Sequence, residues 1–270
     1  MTLKEAIEIL KSAGVDSPEY DARELFKKYG NQSSPVIMLS ASSDSKDLIN
    51  AVERRATREP LQYILGEVGF YREEYLVSPD CLIPRSDTEI LVDYAVKHIP
   101  KGESFADLCS GSGCVGISVL ANTKGTECIS VDVSKKAIEC TRLNSVKNGV
   151  AERLTTLTMD LLGDNAELPQ KFFAILSNPP YIPEEVYNKL EDEIFYEPRI
   201  AFVGDDEGMA FYNKLLPLSL LHLKENGFIG FEIGYDQSEK ITQLAAKHSC
   251  ACEIIKDYSG NDRVAVIKRK

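Results

Sequence analysis

The stretch Asp107-Leu108-Cys109-Ser110-Gly111-Ser112-Gly113-Cys114-Val115-Gly116 decides the fold. It continues an apolar run, 104–108, that reads as a strand, and it leads into a second apolar run that reads as a helix. Glycines at a strand-to-helix turn let the backbone approach a ligand closely and leave amides free at the helix N-terminus. The next strand candidate, 128–133, carries Asp132 near its end, where a carboxylate can accept hydrogen bonds from both ribose hydroxyls of a nucleoside. Gly111-x-Gly113-x-x-Gly116 also matches the dinucleotide fingerprint literally, so a nicotinamide oxidoreductase stays open on spacing alone. Asp107 separates the two readings. A carboxylate at the end of the first strand opposes a pyrophosphate but suits the ammonium of a methionine moiety, which points to S-adenosylmethionine. Asp160, after the third strand, either holds the adenine side or is an ordinary loop aspartate.

Outward from this turn, strand and helix alternate. Further strand candidates fall at 155–159, 172–177, 228–233, 253–256 and 264–268, and the strongest helix at 134–148, stopped by Gly149. Alternation of this kind implies a mostly parallel sheet with helices on both faces, and the closely spaced final pair predicts an antiparallel edge. Ser86 and Glu89 read as a capping box before the helix of Ile90, Leu91, Tyr94 and Ala95. Upstream the pattern is helical: Thr2 with Glu5 caps one helix, Ser17-Pro18 opens a second that ends at Gly30, 45–58 is a third, and Pro60 starts a short turn ending at Gly66. Between the two regions, Phe70-Tyr71 and Tyr75-Leu76-Val77 flank the polar Arg72-Glu73-Glu74, a hairpin pattern. The expected division is a helical bundle over 1–67, a β-hairpin linker over 68–85, and an α/β catalytic domain over 86–270.

The fourth strand of the catalytic region runs into Ser177-Asn178-Pro179-Pro180-Tyr181. Two prolines in succession stop both helix and ladder and fix the backbone. In an open parallel sheet, ligands bind beyond the carboxyl ends of the strands, so this rigid segment stands where chemistry occurs. An amide or aromatic-amine nitrogen is a poor nucleophile because its lone pair is delocalised. A site that accepts its N–H groups orients it and offsets the positive charge that grows during methyl transfer. Asn178 offers a side-chain carbonyl, Pro179 and Pro180 offer carbonyls without competing donors, and Tyr181 offers a face for stacking on a flat group.

Bulk properties exclude other classes. A net charge of -11 disfavours a protein that grips nucleic acid, which needs a dense basic surface. No apolar run is long enough to cross a bilayer, and the first ten residues do not read as a secretory signal. Seven cysteines, an odd number in a chain too large to need staples, fit a reduced cytosol. No zinc-ligand spacing occurs, and no metal is expected. These features predict a cytoplasmic monomer without a membrane partner. Two weaker groups remain: Arg85 and Glu89 as cavity-entrance residues or as a cap with a surface ion pair, and Glu184, Glu185, Glu191, Asp192 and Glu193 as a dock for a basic partner or a solvated helix face.

The chain resembles the HemK family of protein N5-glutamine methyltransferases. The resemblance runs along nearly the whole sequence: Glu59-Pro60-Leu61-Gln62-Tyr63-Ile64-Leu65-Gly66, Leu82-Ile83-Pro84-Arg85-Ser86-Asp87-Thr88-Glu89, the glycine turn, 177–181, Glu197-Pro198-Arg199, Phe231-Glu232-Ile233-Gly234-Tyr235-Asp236-Gln237 and Gly260-Asn261-Asp262-Arg263-Val264. The tetrapeptide 178–181 is shared with adenine-N6 methyltransferases, whereas the Leu-Ile-Pro-Arg and Glu-Ile-Gly-Tyr segments are specific to this family. The resemblance implies a Rossmann-like, seven-stranded methyltransferase domain behind a hairpin and a helical bundle, 1–67, that serves substrate recognition. It implies a substrate, the glutamine of the Gly-Gly-Gln loop of peptide chain release factors, held by Asn178, Pro179, Pro180 and Tyr181. It implies S-adenosylmethionine, leaving as S-adenosylhomocysteine, at Asp107, Cys109, Ser110, Gly111, Ser112, Gly113, Asp132, Asp160, Leu161 and Asn178. A ribosomal-protein glutamine and a nucleic-acid adenine are the alternative substrates. Three positions depart from the family pattern: Cys109-Ser110 stands where Gly-Thr is usual, Ser86 where proline is usual, and Asn261 where arginine is usual.

Overall fold

The computed structural model describes residues 1–30 and 41–270; residues 31–40 of the expected helical domain lie outside the described residues. The chain forms two compact units, one of residues 1–67 with 191–196 and one of residues 68–190 with 197–270.

The first unit contains α1 (Leu3–Ser12), α2 (Pro18–Tyr29), α3 (Lys46–Ala56) and α4 (Leu61–Leu65). The capping box at Thr2 forms: Glu5 N–H donates to Thr2 Oγ1 at 3.1 Å and Thr2 N–H to Glu5 Oε2 at 2.7 Å. Apolar residues at helical spacing, among them Leu3, Leu10, Leu25, Phe26 and Leu48, make its core. Within that core Arg55 is buried and bridges Asp21 at 2.7 Å and Glu193 at 2.9 Å. Arg58 also reaches Glu193, at 3.1 Å, and the Tyr196 hydroxyl donates to the Thr57 carbonyl. The acidic run after the tetrapeptide 178–181 is therefore no uniform solvated face: Glu193 is tied to the arginines of the helical unit, and Glu184 pairs with Arg199.

The second unit opens with a hairpin, β1 (Glu67–Phe70) and β2 (Glu73–Leu76). Its turn is Tyr71-Arg72, earlier than the polar triplet predicts. Tyr71 takes a left-handed φ of 57°, its N–H donates to Glu89 Oε1, and its hydroxyl to Asp93, which pins the turn there. Glu73 then lies in the strand, receiving Ser118 and Asn122. Glu89 is thus taken by Tyr71, and the expected capping box with Ser86 does not form. Residues Ser86–Thr88 make a 3-10 turn that leads directly into α5 (Glu89–His98).

The sheet that follows contains β3 (Ser104–Leu108), β4 (Glu127–Asp132), β5 (Leu154–Thr158), β6 (Phe172–Ser177), β7 (Leu223–Glu232), β8 (Cys250–Lys256) and β9 (Asp262–Arg269). Between them run α6 (Cys114–Asn122), α7 (Lys135–Lys147), α8 (Glu184–Tyr187), α9 (Ala210–His222) and α10 (Ser238–Lys247). The order across the sheet is β5-β4-β3-β6-β7-β9-β8. The first five are parallel, and β9 runs antiparallel to both neighbours. β8 and β9 form the antiparallel pair at the sheet edge that the sequence spacing predicts, with β8 outermost and β9 interior. Alternation along the strands divides the core: Ala106, Ile175 and Ile229 face Tyr212, Leu216 and Ile241, while Phe105, Ala174 and Phe228 face Leu91, Ile117 and Tyr75. Among the described residues, no helix is long and apolar enough to cross a membrane.

Strand order reverses at β3, whose neighbours are β4 and β6. A parallel sheet opens a crevice at such a switch point, beyond the carboxyl ends of the strands. The turns after β3, β4, β5 and β6 meet there.

Candidate active site

A cavity of about 350 Å³ occupies this crevice. Asp107, Cys109, Ser110, Gly111 and Ser112 line it from the turn after β3, and Asp132 does so from the end of β4. Asp160 and Leu161 come from the turn after β5, and Asn178 and Pro180 from the turn after β6. Pro179, Tyr181 and Gly113 are not on its wall.

The glycine turn is held from below. Gly113 has φ 80°, and a Cβ there would stand 2.8 Å from Thr141 Cγ2 and 2.9 Å from Ile117 Cδ1, so it serves packing beneath the turn. Cys109 also takes a left-handed φ, 58°. That conformation costs an L-residue roughly 1–2 kcal/mol and is the reason glycine is usual in the family it resembles. The chain keeps the backbone path and bears the strain.

Two of the acids that line the cavity stand at the ends of β3 and β4. Asp107 is 1% exposed, and burial pushes its carboxyl up to about 7, offset by the Gly116 N–H that donates to Oδ2 at 3.0 Å. Asp132 is raised by burial as well, and held by two backbone donors: Gly111 N–H to Oδ2 and Ser134 N–H to Oδ1, both at 2.9 Å. The Ser110 hydroxyl is buried with no hydrogen-bond partner among the described residues. A buried carboxylate short of donors beside an unsatisfied hydroxyl is a wall suited to a cationic, hydrogen-bonding ligand. Asp160 Oδ1 accepts from Leu162 N–H at 3.0 Å, an ordinary Asx turn, while the residue also lines the cavity.

The tetrapeptide is anchored on the other side. Asn178 Nδ2 donates to Thr88 Oγ1 at 3.1 Å. The Tyr181 hydroxyl donates to Glu232 Oε1 at 3.2 Å, and its carbonyl accepts from Gln237 Nε2 at 3.1 Å. The ring therefore packs into the core instead of offering a stacking face to the cavity. Gly204 and Gly208 press on this segment: a Cβ at Gly204 would lie 2.6 Å from the Pro180 carbonyl oxygen, and one at Gly208 2.1 Å from that of Tyr181. Arg85 lines the cavity and forms an ion pair with the buried Glu197, which also accepts from Ile83 N–H at 2.9 Å. Gly204 and Gly208 carry no motif of their own; Thr88, Glu197, Glu232, Gln237 and Arg263 sit in segments that carry the family resemblance, which was the one available signal.

A parallel sheet with strand order reversing at a glycine turn, an acid ending the next strand, and an antiparallel strand inserted beside the sheet edge define a Rossmann-like methyltransferase fold. A solved ribosomal protein L11 methylase from Lactobacillus delbrueckii subsp. bulgaricus shares that fold, with a TM-score of 0.53 and 22% identity over 72% of this chain and 84% of its own. Residues 2–66 match the PrmC N-terminal domain and residues 86–200 the methyltransferase small domain. The release factor glutamine methyltransferase of Fusobacterium nucleatum subsp. nucleatum is 34% identical across 98% of this chain and 77% of its own length. That of Caulobacter vibrioides is 35% identical across 95% and 91%. The chain belongs to the release factor glutamine methyltransferase family.

Proposed function

We propose that this chain transfers a methyl group from S-adenosylmethionine to the side-chain amide nitrogen of the glutamine in the Gly-Gly-Gln loop of a peptide chain release factor. The observation that carries the reading is one cavity lined both by the glycine turn with Asp107 and Asp132 and by Asn178 and Pro180.

S-adenosylmethionine, when bound, supplies a methyl carbon made electrophilic by the sulfonium. Asp107 meets its ammonium, the amides of the glycine turn its carboxylate, Asp132 its ribose hydroxyls, and Asp160 and Leu161 flank its adenine. Asn178 Oδ1 and the Pro180 carbonyl accept the N–H groups of the glutamine amide. They aim its nitrogen at the methyl carbon and offset the charge that grows on it. No strong base is needed before attack, because the proton leaves afterwards. Cys109, Ser110 and Ser112 shape the cofactor wall, Gly113 packs the turn from beneath, and Pro179 and Tyr181 fix the acceptor segment from behind.

In this reading residues 1–67 hold the protein substrate, with 68–85 joining them to the catalytic domain 86–270. Similarity of residues 2–66 to a domain named for this family supports the first assignment. The net charge of -11 supports a protein over a nucleic-acid substrate, and the enzyme is taken as a cytoplasmic monomer. The test is mass spectrometry of a release factor incubated with the protein and S-adenosylmethionine, beside Asn178→Ala. One methyl on the Gly-Gly-Gln glutamine, absent with the variant, is the expected result. No methyl, with cofactor binding retained, would sink the substrate and direct the search to ribosomal proteins and adenine.

A further inference from the structure

Asn178 has two chemically opposite ends, and only one serves the reaction. Its Nδ2 donates to the Thr88 hydroxyl, which leaves Oδ1 for the substrate. A hydroxyl holds one proton and two lone pairs, so Thr88 can take the opposite role and donate to Asn178 instead. What decides is the group that takes the Thr88 proton.

Glu232 stands there. It ends β7 and is 2% exposed. Ser177 pairs with Phe231 across the parallel ladder, so Glu232 is level with Asn178. The Tyr181 hydroxyl donates to Oε1, while Oε2 is buried with no donor in hydrogen-bond geometry among the described residues. Thr88 is 1% exposed and bonded to Asn178, which is level with Glu232, and its hydroxyl acts to keep the Glu232 carboxyl charged.

We propose that Glu232 and Thr88 are positioning residues that fix the direction of the Asn178 amide. A carboxylate only accepts, so it draws the protons of both the Thr88 and Tyr181 hydroxyls toward itself. Thr88 then shows Asn178 lone pairs alone, and only an N–H can answer them. Asn178 Oδ1 is left facing the cavity. A neutral Glu232 carries a donor of its own and lets the chain reverse. Thr88 then donates to Oδ1, and Asn178 turns its NH₂ toward a substrate nitrogen that also bears hydrogens. This inference rests on the reading of Asn178 as the acceptor for the substrate amide.

Glu232 is within reach of a change of charge. Burial pushes its carboxyl up to about 7; Thr88, Arg263 and Tyr181 act against this and Asp87 adds to it. Those groups come from the turn before α5, from β9 and from the segment after β6. Tyr212 of α9 and Cys114 of α6 complete the titratable groups that sense it, and both are themselves pushed up by burial.

The experiment is single-turnover methylation of a release factor at saturating S-adenosylmethionine, between about pH 6 and about pH 9, with cofactor affinity measured in parallel. It compares wild type with Glu232→Gln, Thr88→Val, Thr88→Ser and Asn178→Ala. The wild-type rate should fall as pH drops through about 7, the value to which burial brings Glu232. Glu232→Gln should bind cofactor normally, lose about 10²-fold in rate and lose the acid limb. Thr88→Val should fall by a similar factor and Thr88→Ser should restore the rate, because serine keeps the relay. Wild-type rate and acid limb in Glu232→Gln, or equal rates for Thr88→Val and Thr88→Ser, would overturn the relay while Asn178→Ala stays inactive. An active Asn178→Ala would instead overturn the acceptor reading on which the relay depends.

Discussion

Gly208→Ala puts a methyl group where the acceptor segment has its backbone. The added Cβ would stand 2.1 Å from the Tyr181 carbonyl oxygen and 2.6 Å from Gln237 Nε2. Separations under 3.0 Å are essentially never seen for a Cβ, so the carbonyl must retreat by about 0.9 Å (3.0 less 2.1). It cannot do so alone. The same oxygen accepts from Gln237 at 3.1 Å, and Pro179 and Pro180 stiffen the chain that precedes it, so the displacement passes to Pro180 and Asn178. Overpacking of this kind costs roughly 1–3 kcal/mol. The left-handed φ of 80° adds roughly 1–2 kcal/mol for alanine. The sum, roughly 2–5 kcal/mol, corresponds to a melting point lower by about 5–15 °C. In catalysis a shift near 1 Å at a substrate-positioning group costs about 10²-fold. The glycine turn and Asp132 are untouched, so cofactor affinity should stay within about threefold of wild type. Single-turnover methylation of a release factor with calorimetric titration of the cofactor reads both quantities. A variant that turns over at the wild-type rate with an unchanged melting point would refute the claim that Gly208 holds the acceptor segment in place.

Three further perturbations address other parts of the molecule. Gly116→Ala brings a Cβ within 2.9 Å of Asp107 Oδ2 and 3.0 Å of Cys128 Sγ, and should weaken cofactor binding at least about tenfold despite the gain in helix propensity; unchanged affinity by titration calorimetry counts against the Asp107 assignment. Arg55→Met leaves Asp21 buried without its cation and should cost about 3–5 kcal/mol in thermal unfolding. Burial already raises the Asp21 carboxyl, so the native state loses stability as pH rises through that group's folded pKa, and the loss in the variant should shrink in acid; a pH-independent loss would contradict this. Asp107 is raised to about 7, so its ionisation costs the empty fold stability above that pH, while binding of an ammonium needs the carboxylate. Cofactor affinity should therefore fall about tenfold per pH unit below about 7 and flatten in Asp107→Asn, and a flat wild-type profile would exclude Asp107 as the ammonium partner.

Much of the fold is legible because its signals are local. The first catalytic strand and the fourth, 104–108 and 172–177, are apolar runs bounded by turns, and they form as β3 and β6 with those limits. Thr2 with Glu5 caps a helix because both partners lie within one turn. Ser86 with Glu89 has the same spacing and fails, because the Tyr71 N–H, eighteen residues away, reaches the Glu89 carboxylate first. The interior place of β9 has a trace in the sequence, the unbroken apolar run Val264-Ala265-Val266-Ile267, where β8 is interrupted by Glu253. That Asp107, the glycine turn and Asp132 line one cavity was readable, since they lie on consecutive elements. The acceptor end was readable only as a tetrapeptide. Its supports, Thr88, Gly208, Glu232 and Gln237, come from distant parts of the chain and meet it only when the sheet forms.

Three acids at the carboxyl end of the sheet differ in what holds them, and this separates their tasks. Asp107, Asp132 and Glu232 sit at or near the ends of β3, β4 and β7, and burial raises all three. Asp107 and Asp132 are held by backbone N–H donors of the glycine turn and the helix starts. A backbone N–H has a fixed proton, so these acids act only through their own charge on a ligand that touches them. Glu232 is held by the hydroxyl of Tyr181, with that of Thr88 beside it. A hydroxyl can turn its proton around, so a change of charge on Glu232 is passed along the chain as a change of hydrogen-bond direction and arrives at Asn178. Asp107 should thus govern cofactor affinity and Glu232 the rate after binding. The two pH dependences fall in one range and are told apart by saturating the cofactor, which removes the first and leaves the second.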